Sequence, residues 1–276
     1  MKTLRSIGIL GGMGPEATVI LQQRIIAAVA AADDIDHVPL IVHMNPQVPS
    51  RIDWLMNNQG QDPAPVLASM SQTLVNAGAA ALAMPCNTAH HFADAIIAAV
   101  DVPLLHMVNL AIAEMAALTV PVTTGFATDS ATDFATEFAT EFATDSATGA
   151  ATGSAAGNNV KIGVLASPAT RAVGVFDQPL ALAGLSPVYP ADQPALLAAI
   201  RQIKARGADA TTRATLNAAA VDCQQQGAQG LMVGCSEFSI IADAADVGLP
   251  VIDTLDALVT GIVRFSGARG RWDTAA

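Results

Sequence analysis

The feature that most constrains the fold is a pattern that occurs twice along the chain. Each copy begins with a short apolar run that enters a loop and then a helix-like stretch, IGILGGMGPEAT from Ile7 and IGVLASPATRAV from Ile162. A cysteine follows a later apolar run at a similar distance from each start, Cys86 in ALAMPCNT and Cys235 in GLMVGCSE. The sequence therefore predicts two copies of one α/β unit.

The apolar runs also indicate the class of fold. Short β-branched runs alternate with longer alanine-rich stretches of helical period, and the runs are continuously apolar. Such strands are typical of parallel sheets that helices cover on both faces. We predict an α/β protein of two pseudo-symmetric domains, each a mostly parallel sheet flanked by helices, with an active-site cleft between them.

A change of composition marks the domain boundaries. Residues 122–158 repeat a four-residue unit of Ala, Thr, an acidic residue and Ser or Phe. We predict an N-terminal domain at 1–118 that is completed by 247–276, a low-complexity acidic linker or insert at 119–159, and a second domain at 160–246. A docked helix or a partner-binding segment is the alternative interpretation of the linker.

Charge and cysteine content exclude several classes of function. There are 13 Lys and Arg against 24 Asp and Glu, and the formal net charge is −11. This balance argues against nucleic acid or an anionic membrane as a partner. The three cysteines are too few for a disulfide scaffold. We expect a cytoplasmic protein that acts on a small molecule, without a membrane-spanning segment.

The two post-strand cysteines suggest proton transfer. Ligands of open α/β sheets bind at the carboxyl ends of the strands, where Cys86 and Cys235 are expected. If the two halves face each other, one thiolate can remove a proton from a carbon while the other thiol delivers one to the opposite face. Asn87, Thr88 and Ser236 would add hydrogen-bond donors for a substrate carboxylate.

Six segments, in a fixed order, carry a family resemblance. They are IGILGGMGPEAT (7–18), NPQVPSR (45–51), MPCNTAHHF (84–92), VKIGVLASPAT (160–170), GCSEFS (234–239) and LPVIDT (249–254). Together they resemble the pyridoxal-phosphate-independent aspartate/glutamate racemases of the Asp/Glu/hydantoin racemase superfamily. The resemblance implies a two-domain α/β isomerase that uses no cofactor and no metal, and that is usually a homodimer.

The resemblance also implies roles for individual residues. Cys86 and Cys235 would be the paired acid/base residues. The implied substrate-binding residues are Met13, which lines the cleft, Arg51, which reaches the distal carboxylate, and Asn87, Thr88 and Ser236, which bind the α-carboxylate side. The substrate would be an acidic amino acid.

The preferred substrate is left open by one departure from the family pattern. Aspartate-specific members carry a further basic residue in the helix after the second-half strand, and here Arg171 is the only cation in that stretch. The alternatives are a related superfamily enzyme, such as a hydantoin racemase or a maleate cis-trans isomerase, and a non-catalytic amino-acid-binding module.

Other motifs favour structural interpretations. Residues 12–17 fit a loose dinucleotide fingerprint, but the acidic residue that a Rossmann site needs is not at the end of the second strand. We therefore interpret this loop as a close-approach turn beside the substrate. His90 follows Cys86 by four residues, yet no further ligands have zinc-site spacing, so His90 is expected to order the cysteine loop or to pack beside it. Cys223, in a helix-like run, is expected to be a buried apolar residue.

Overall fold

The chain forms two compact units. The computed structural model describes residues 3–119 and 160–274. One unit contains Met1–Met107 together with Leu255–Ala276, and the other contains Val108–Thr254. The predicted linker therefore lies outside the described residues, apart from Thr119.

The first unit is built on a four-stranded parallel sheet. Its strands are β1 (Ile7–Gly11), β2 (Leu40–Met44), β3 (Ala81–Ala83) and β4 (Leu104–Leu105), in the order β2-β1-β3-β4. Its helices are α1 (Pro15–Ala28), α2 (Arg51–Asn57), α3 (Ala64–Asn76) and α4 (Ala93–Ile97), with short 3-10 helices at Asp34–Asp36 and Thr88–Phe92. Helix α5 (Met107–Thr119) follows β4.

The second unit repeats the same strand order. Its strands are β5 (Val160–Ala166), β6 (Leu185–Val188), β7 (Gly230–Gly234) and β8 (Val251–Asp253), all parallel and in the order β6-β5-β7-β8. Its helices are α6 (Pro168–Ala172), α7 (Asp177–Leu182), α8 (Gln193–Arg206) and α9 (Ala210–Gln225), and a 3-10 helix covers Phe238–Ala245. Helix α10 (Thr254–Ser266) and a 3-10 helix (Arg271–Thr274) close the described chain. The predicted α/β class is confirmed.

A glycine at one position of each first strand lets a helix pack closely on the sheet. A Cβ atom at Gly8 would lie 3.0 Å from Leu74 Cβ, and a Cβ atom at Gly163 would lie 2.7 Å from Cys223 Cβ. Leu74 and Cys223 also accept equivalent backbone hydrogen bonds, from the N–H groups of Ala79 and Ala228. The two halves thus correspond residue by residue at this contact.

The observed division differs from the predicted boundaries in two places. Helix α5, assigned by the sequence to the first domain, lies almost wholly in the second unit, where Met115 packs over Gly230. Strand β8 falls in the predicted 247–276 extension of the first domain, but it pairs with β7. Because sequence periodicity identifies a helix or strand without identifying its neighbours, neither partner could be assigned from the pattern.

Several elements differ in length from their predictions. The helical period that starts at Pro15 predicts a helix as far as Ala32, but α1 ends at Ala28, and the next residue, Val29, forms a β-bridge with Gly270. The helical period of residues 88–100 predicts one helix, but the structure has a 3-10 helix there followed by the short α4. Helix α2, of seven residues, was not predicted, and the single helix predicted after β5 is two short helices, α6 and α7. No helix among the described residues is long and apolar enough to cross a membrane.

Candidate active site

The first cysteine loop (residues 84–90) leaves the carboxyl end of β3 and carries three of the predicted site residues. Cys86 is buried, with 7% of its surface exposed, and it belongs to the same apolar cluster as Met13 and Val48. Asn87 is buried and Thr88 is half-buried at the start of the 3-10 helix. The first unit therefore brings Met13, Cys86, Asn87 and Thr88 to one edge of its sheet.

His90 holds the first cysteine loop by its backbone. Its Nε2 accepts the Met107 N–H at 3.2 Å, so its Nδ1 carries the ring proton and donates to the carbonyl of Cys86 at 2.9 Å. Burial lowers the pKa of His90 to about 4, which keeps the ring neutral at pH 7. The prediction that His90 orders the loop agrees with this geometry, and both ring nitrogens are occupied by protein partners.

The glycine loop after β1 approaches the end of β2 closely. Gly12 has φ +96°, and a Cβ there would overlap the backbone of Asn45. Its N–H donates to the hydroxyl of Thr18 at 3.0 Å, so this amide is already paired inside the protein. A close-approach turn, rather than a phosphate cradle, explains the glycines of this loop.

Arg51 begins helix α2 and bends back over the turn that precedes it. Its Nη1 donates to the carbonyls of Val48 (3.2 Å) and Pro49 (3.0 Å). Its Nε is buried and has no hydrogen-bond partner among the described residues. The guanidinium is thus anchored on one side and retains a donor for an acceptor group that the described chain does not provide.

The second cysteine loop (residues 234–239) leaves the carboxyl end of β7, and its cysteine contacts a carboxylate. Cys235 is buried to the same degree as Cys86. Its thiol donates to Oε2 of Glu237 at 3.1 Å. Burial raises the pKa of the Cys235 thiol well above its usual range, and the Glu237 carboxylate raises it further. Cys235 is therefore held as a protonated thiol at pH 7.

A lysine that the sequence analysis did not single out completes this group. Lys204, in the last turn of α8, places its Nζ 3.3 Å from Oε1 of Glu237. Lys204 and Glu237 are 33 positions apart, so no local motif connects them. The acid of GCSEFS was visible in the motif, and its place two residues after Cys235 was the one available signal for its contact.

Of the other residues noted in the second unit, Ser236 belongs to this loop, whereas Arg171 contacts a different part of the unit. Ser236 is buried next to Cys235. Ser239, from the same loop, donates to Oδ1 of Asp253 at 2.6 Å, which ties the loop to β8. Arg171 instead lies over the ring of Tyr189, with its guanidinium carbon 5.3 Å from the ring centroid.

The third cysteine has the expected structural surroundings. Cys223 is fully buried in α9, and its Sγ lies 3.7 Å from the carbonyl of Val188. Burial raises the pKa of its thiol to about 12. Cys223 is therefore an inert core residue.

Both halves of the chain are similar to known proteins. The model of the Asp/Glu/hydantoin racemase family matches residues 10–145 and 143–262. The broad specificity amino-acid racemase RacX of Bacillus subtilis (strain 168) is 32% identical over 113 residues, which cover 40% of this chain and 48% of RacX. The match thus spans about half the length of that curated relative.

Solved structures share the fold. Picrophilus torridus aspartate racemase superposes with a TM-score of 0.74 at 21% identity, covering 97% of this chain and 96% of that chain. An aspartate racemase homologue from Pyrococcus horikoshii OT3 gives 0.67 at 19% identity, over 96% and 100%. Glutamate racemase from Aquifex pyrophilus gives 0.54 at 15% identity, over 96% and 84%. With a family match in each half, this chain belongs to the Asp/Glu/hydantoin racemase family.

Proposed function

We propose that this protein is a cofactor-independent racemase of an acidic amino acid, aspartate or glutamate. The observation that carries the proposal is the equivalent position of two buried cysteines. Cys86 follows the third strand of a sheet ordered β2-β1-β3-β4, and Cys235 follows the third strand of a sheet ordered β6-β5-β7-β8. Packing alone does not require a cysteine at this position in both halves.

In this proposal the two cysteines act on opposite faces of the substrate Cα. One thiolate takes the α-proton, and the electron pair of the C–H bond remains on Cα. The other thiol donates its proton to the opposite face, so the two protonation states exchange in each turnover. Reversal of the roles returns the other enantiomer.

The substrate-binding residues supply charge and hydrogen bonds. Arg51 holds the distal carboxylate, a role supported by its buried Nε, which has no hydrogen-bond partner among the described residues. Asn87, Thr88 and Ser236 bind the α-carboxylate, where negative charge grows as the proton leaves, and Met13 lines the apolar side. Donors that are already in place stabilise this charge without reorganisation during the reaction.

The test is loss of the α-proton signal in proton NMR. L-aspartate and L-glutamate are incubated separately in D₂O with reduced protein and no added cofactor. We expect exchange with at least one amino acid, and we expect both Cys86→Ala and Cys235→Ala to abolish racemisation. Cys223→Ala is the matched control and should retain full turnover, since its sulfur is fully buried in α9.

The same experiment distinguishes the alternatives. Absence of exchange on either amino acid would overturn the assignment of substrate, and turnover of hydantoins or maleate would then indicate a related superfamily reaction. Ligand binding that is unchanged in Cys86→Ser, with no turnover by any variant, would indicate an amino-acid-binding module. The homodimer and the cytoplasmic location stay predictions.

A further inference from the structure

Three ionisable groups meet at the second cysteine loop, two from the loop and one from α8, and the two-cysteine reaction does not use them in full. Cys235 Sγ lies 3.1 Å from Oε2 of Glu237, and Oε1 of the same carboxylate lies 3.3 Å from Nζ of Lys204. Cys235 and Glu237 are 7% and 8% exposed. A buried carboxylate that accepts directly from a thiol is a chemically specific contact, because most buried carboxylates pair with stronger donors.

This contact creates a requirement if Cys235 is to act as a base. A protonated thiol cannot accept the α-proton, so the thiol must first lose its own proton. Burial disfavours release of that proton to solvent, because it would leave an isolated thiolate in an apolar environment. A group inside the protein is better placed to receive it, and among the described residues Glu237 offers an acceptor within hydrogen-bond distance.

We propose that Glu237 is the proton acceptor that converts Cys235 from thiol to thiolate, an assignment that rests on the proposed racemase function. The S–H bond breaks with its electron pair left on sulfur, and an O–H bond forms at Oε2. The pair carries one negative charge before and after the transfer. The thiolate then takes the α-proton of the substrate, and Cys86 donates its own proton to the other face.

Cys235 works as an acid in the reverse direction. Its thiol protonates the substrate carbanion, and the proton stored on Glu237 then restores the thiol. The total number of protons on Cys86, Cys235 and Glu237 is the same at the start and at the end of each turnover. No oxidant, reductant or further reactant is needed.

Lys204 positions the acceptor. Its ammonium engages Oε1 and leaves Oε2 for the sulfur. Lys204 and the backbone N–H of Glu237 both favour the thiolate, opposing the effects of burial and of the Glu237 charge. The ion pair therefore orients the carboxylate and partly offsets the negative charge that the Cys235–Glu237 pair carries throughout.

The decisive experiment combines turnover with a titration of Cys235 in Glu237→Gln. The amide has the size of the carboxylate but cannot accept the thiol proton. We expect turnover to fall by about 10²–10⁴-fold. The midpoint of Cys235 ionisation, followed by thiolate absorbance near 240 nm in a Cys86→Ala, Cys223→Ala background, should move to lower pH by about one unit or more, because an adjacent negative charge has been removed.

The two results together separate a proton acceptor from a structural acid. A Glu237→Gln protein with a more acidic thiol and lower turnover is the expected outcome. Turnover within about twofold of the wild type would overturn the proposal, because removal of an acid/base group costs far more than that. The control is Asp243→Asn, which breaks the exposed Arg213–Asp243 ion pair of the same unit and should change neither measurement.

A second pair of variants keeps the proposal testable if Glu237→Gln fails to fold. Lys204→Met should raise the midpoint of Cys235 ionisation and lower turnover. Glu237→Asp, which keeps a carboxylate, should retain part of the wild-type activity. Wild-type values in a folded Lys204→Met protein would contradict the positioning role. If the wild-type protein itself exchanges no α-proton, the racemase function fails, whereas the titration shift still reports the contact between Cys235 and Glu237.

Discussion

The two cysteine loops occupy equivalent places in two sheets of the same strand order, yet different neighbours control them. In the first, His90 bonds the carbonyl of Cys86 and does not bond its sulfur. In the second, Glu237 bonds the sulfur of Cys235 directly, with Lys204 behind it. A neutral imidazole ring fixes the backbone of the first loop, whereas charged side chains shift the pKa of the cysteine in the second loop.

The difference shows which parts of the duplicated unit are shared. Strand order, the glycine of the first strand and the position of the cysteine are the same in both halves. The side chains that follow each cysteine by four or two positions differ: His90 bonds the carbonyl of Cys86, whereas Glu237 bonds the sulfur of Cys235. In the proposed reaction, the shared frame places the two thiols and the local residues divide their roles.

The largest expected effect that separates the loops comes from His90→Leu. The substitution leaves the carbonyl of Cys86 and the N–H of Met107 without their partner, and both residues are buried. Each buried unpaired group costs about 1–3 kcal/mol, so the free energy of unfolding should fall by about 2–6 kcal/mol. Denaturant titration measures this loss.

The matched variant is His90→Gln, whose amide offers one donor and one acceptor. It should recover a substantial part of the stability lost in His90→Leu. The inferred difference between the two loops would be wrong if His90→Leu were as stable as the wild type. It would also be wrong if His90→Leu shifted the ionisation of Cys235, as Glu237→Gln is expected to do.

The second prediction concerns acid stability, which should come from the histidines of the first unit. Burial holds the pKa of His90 at about 4 and the pKa of His106 well below 6.5. Between pH 6.5 and 4 the unfolded chain binds protons that the folded chain does not, so stability falls as the pH falls. For His90 the loss is about 3 kcal/mol across this window.

Unfolding free energies measured at several pH values check this prediction. The slope should be flatter in His90→Gln, with His106 responsible for what remains. Asp36, Asp209 and Asp243 have their pKa lowered from 3.8, so their contributions to stability are lost only at more acidic pH. A slope unchanged in His90→Gln would contradict the assignment.

The sequence predicted the features that depend on local pattern. The alternation of strands and helices, the duplication and the post-strand positions of Cys86 and Cys235 all follow from runs of adjacent residues, because strand period and helix period are local properties. The interpretation of the 12–17 loop as a close-approach turn also followed, since a glycine at that point suits positive φ and close backbone contact.

The sequence could not predict contacts between distant side chains. Lys204 stands in an ordinary helical stretch, and its neighbour Glu237 belongs to another element, so the ion pair arises from the packing of α8 beside the second cysteine loop. Likewise, the positions of α5 and β8 depend on contacts with residues of β7, because α5 packs against Gly230 and β8 pairs with β7. Arg171, the one cation that the sequence analysis noted in the stretch after the second-half strand, lies over the ring of Tyr189.

The smallest expected effect comes from Cys223, the cysteine with no counterpart in the first half. Its position corresponds to Leu74, since both side chains pack against the glycine of the first strand in their own half. Cys223→Ala should therefore lower the free energy of unfolding by about 1 kcal/mol, the cost of a small cavity, and leave turnover unchanged. Thermal or denaturant unfolding and the NMR exchange assay measure both quantities. Lost turnover in a folded Cys223→Ala protein would mean that the second half uses two cysteines, and the equivalence between Cys223 and Leu74 would then be purely geometric.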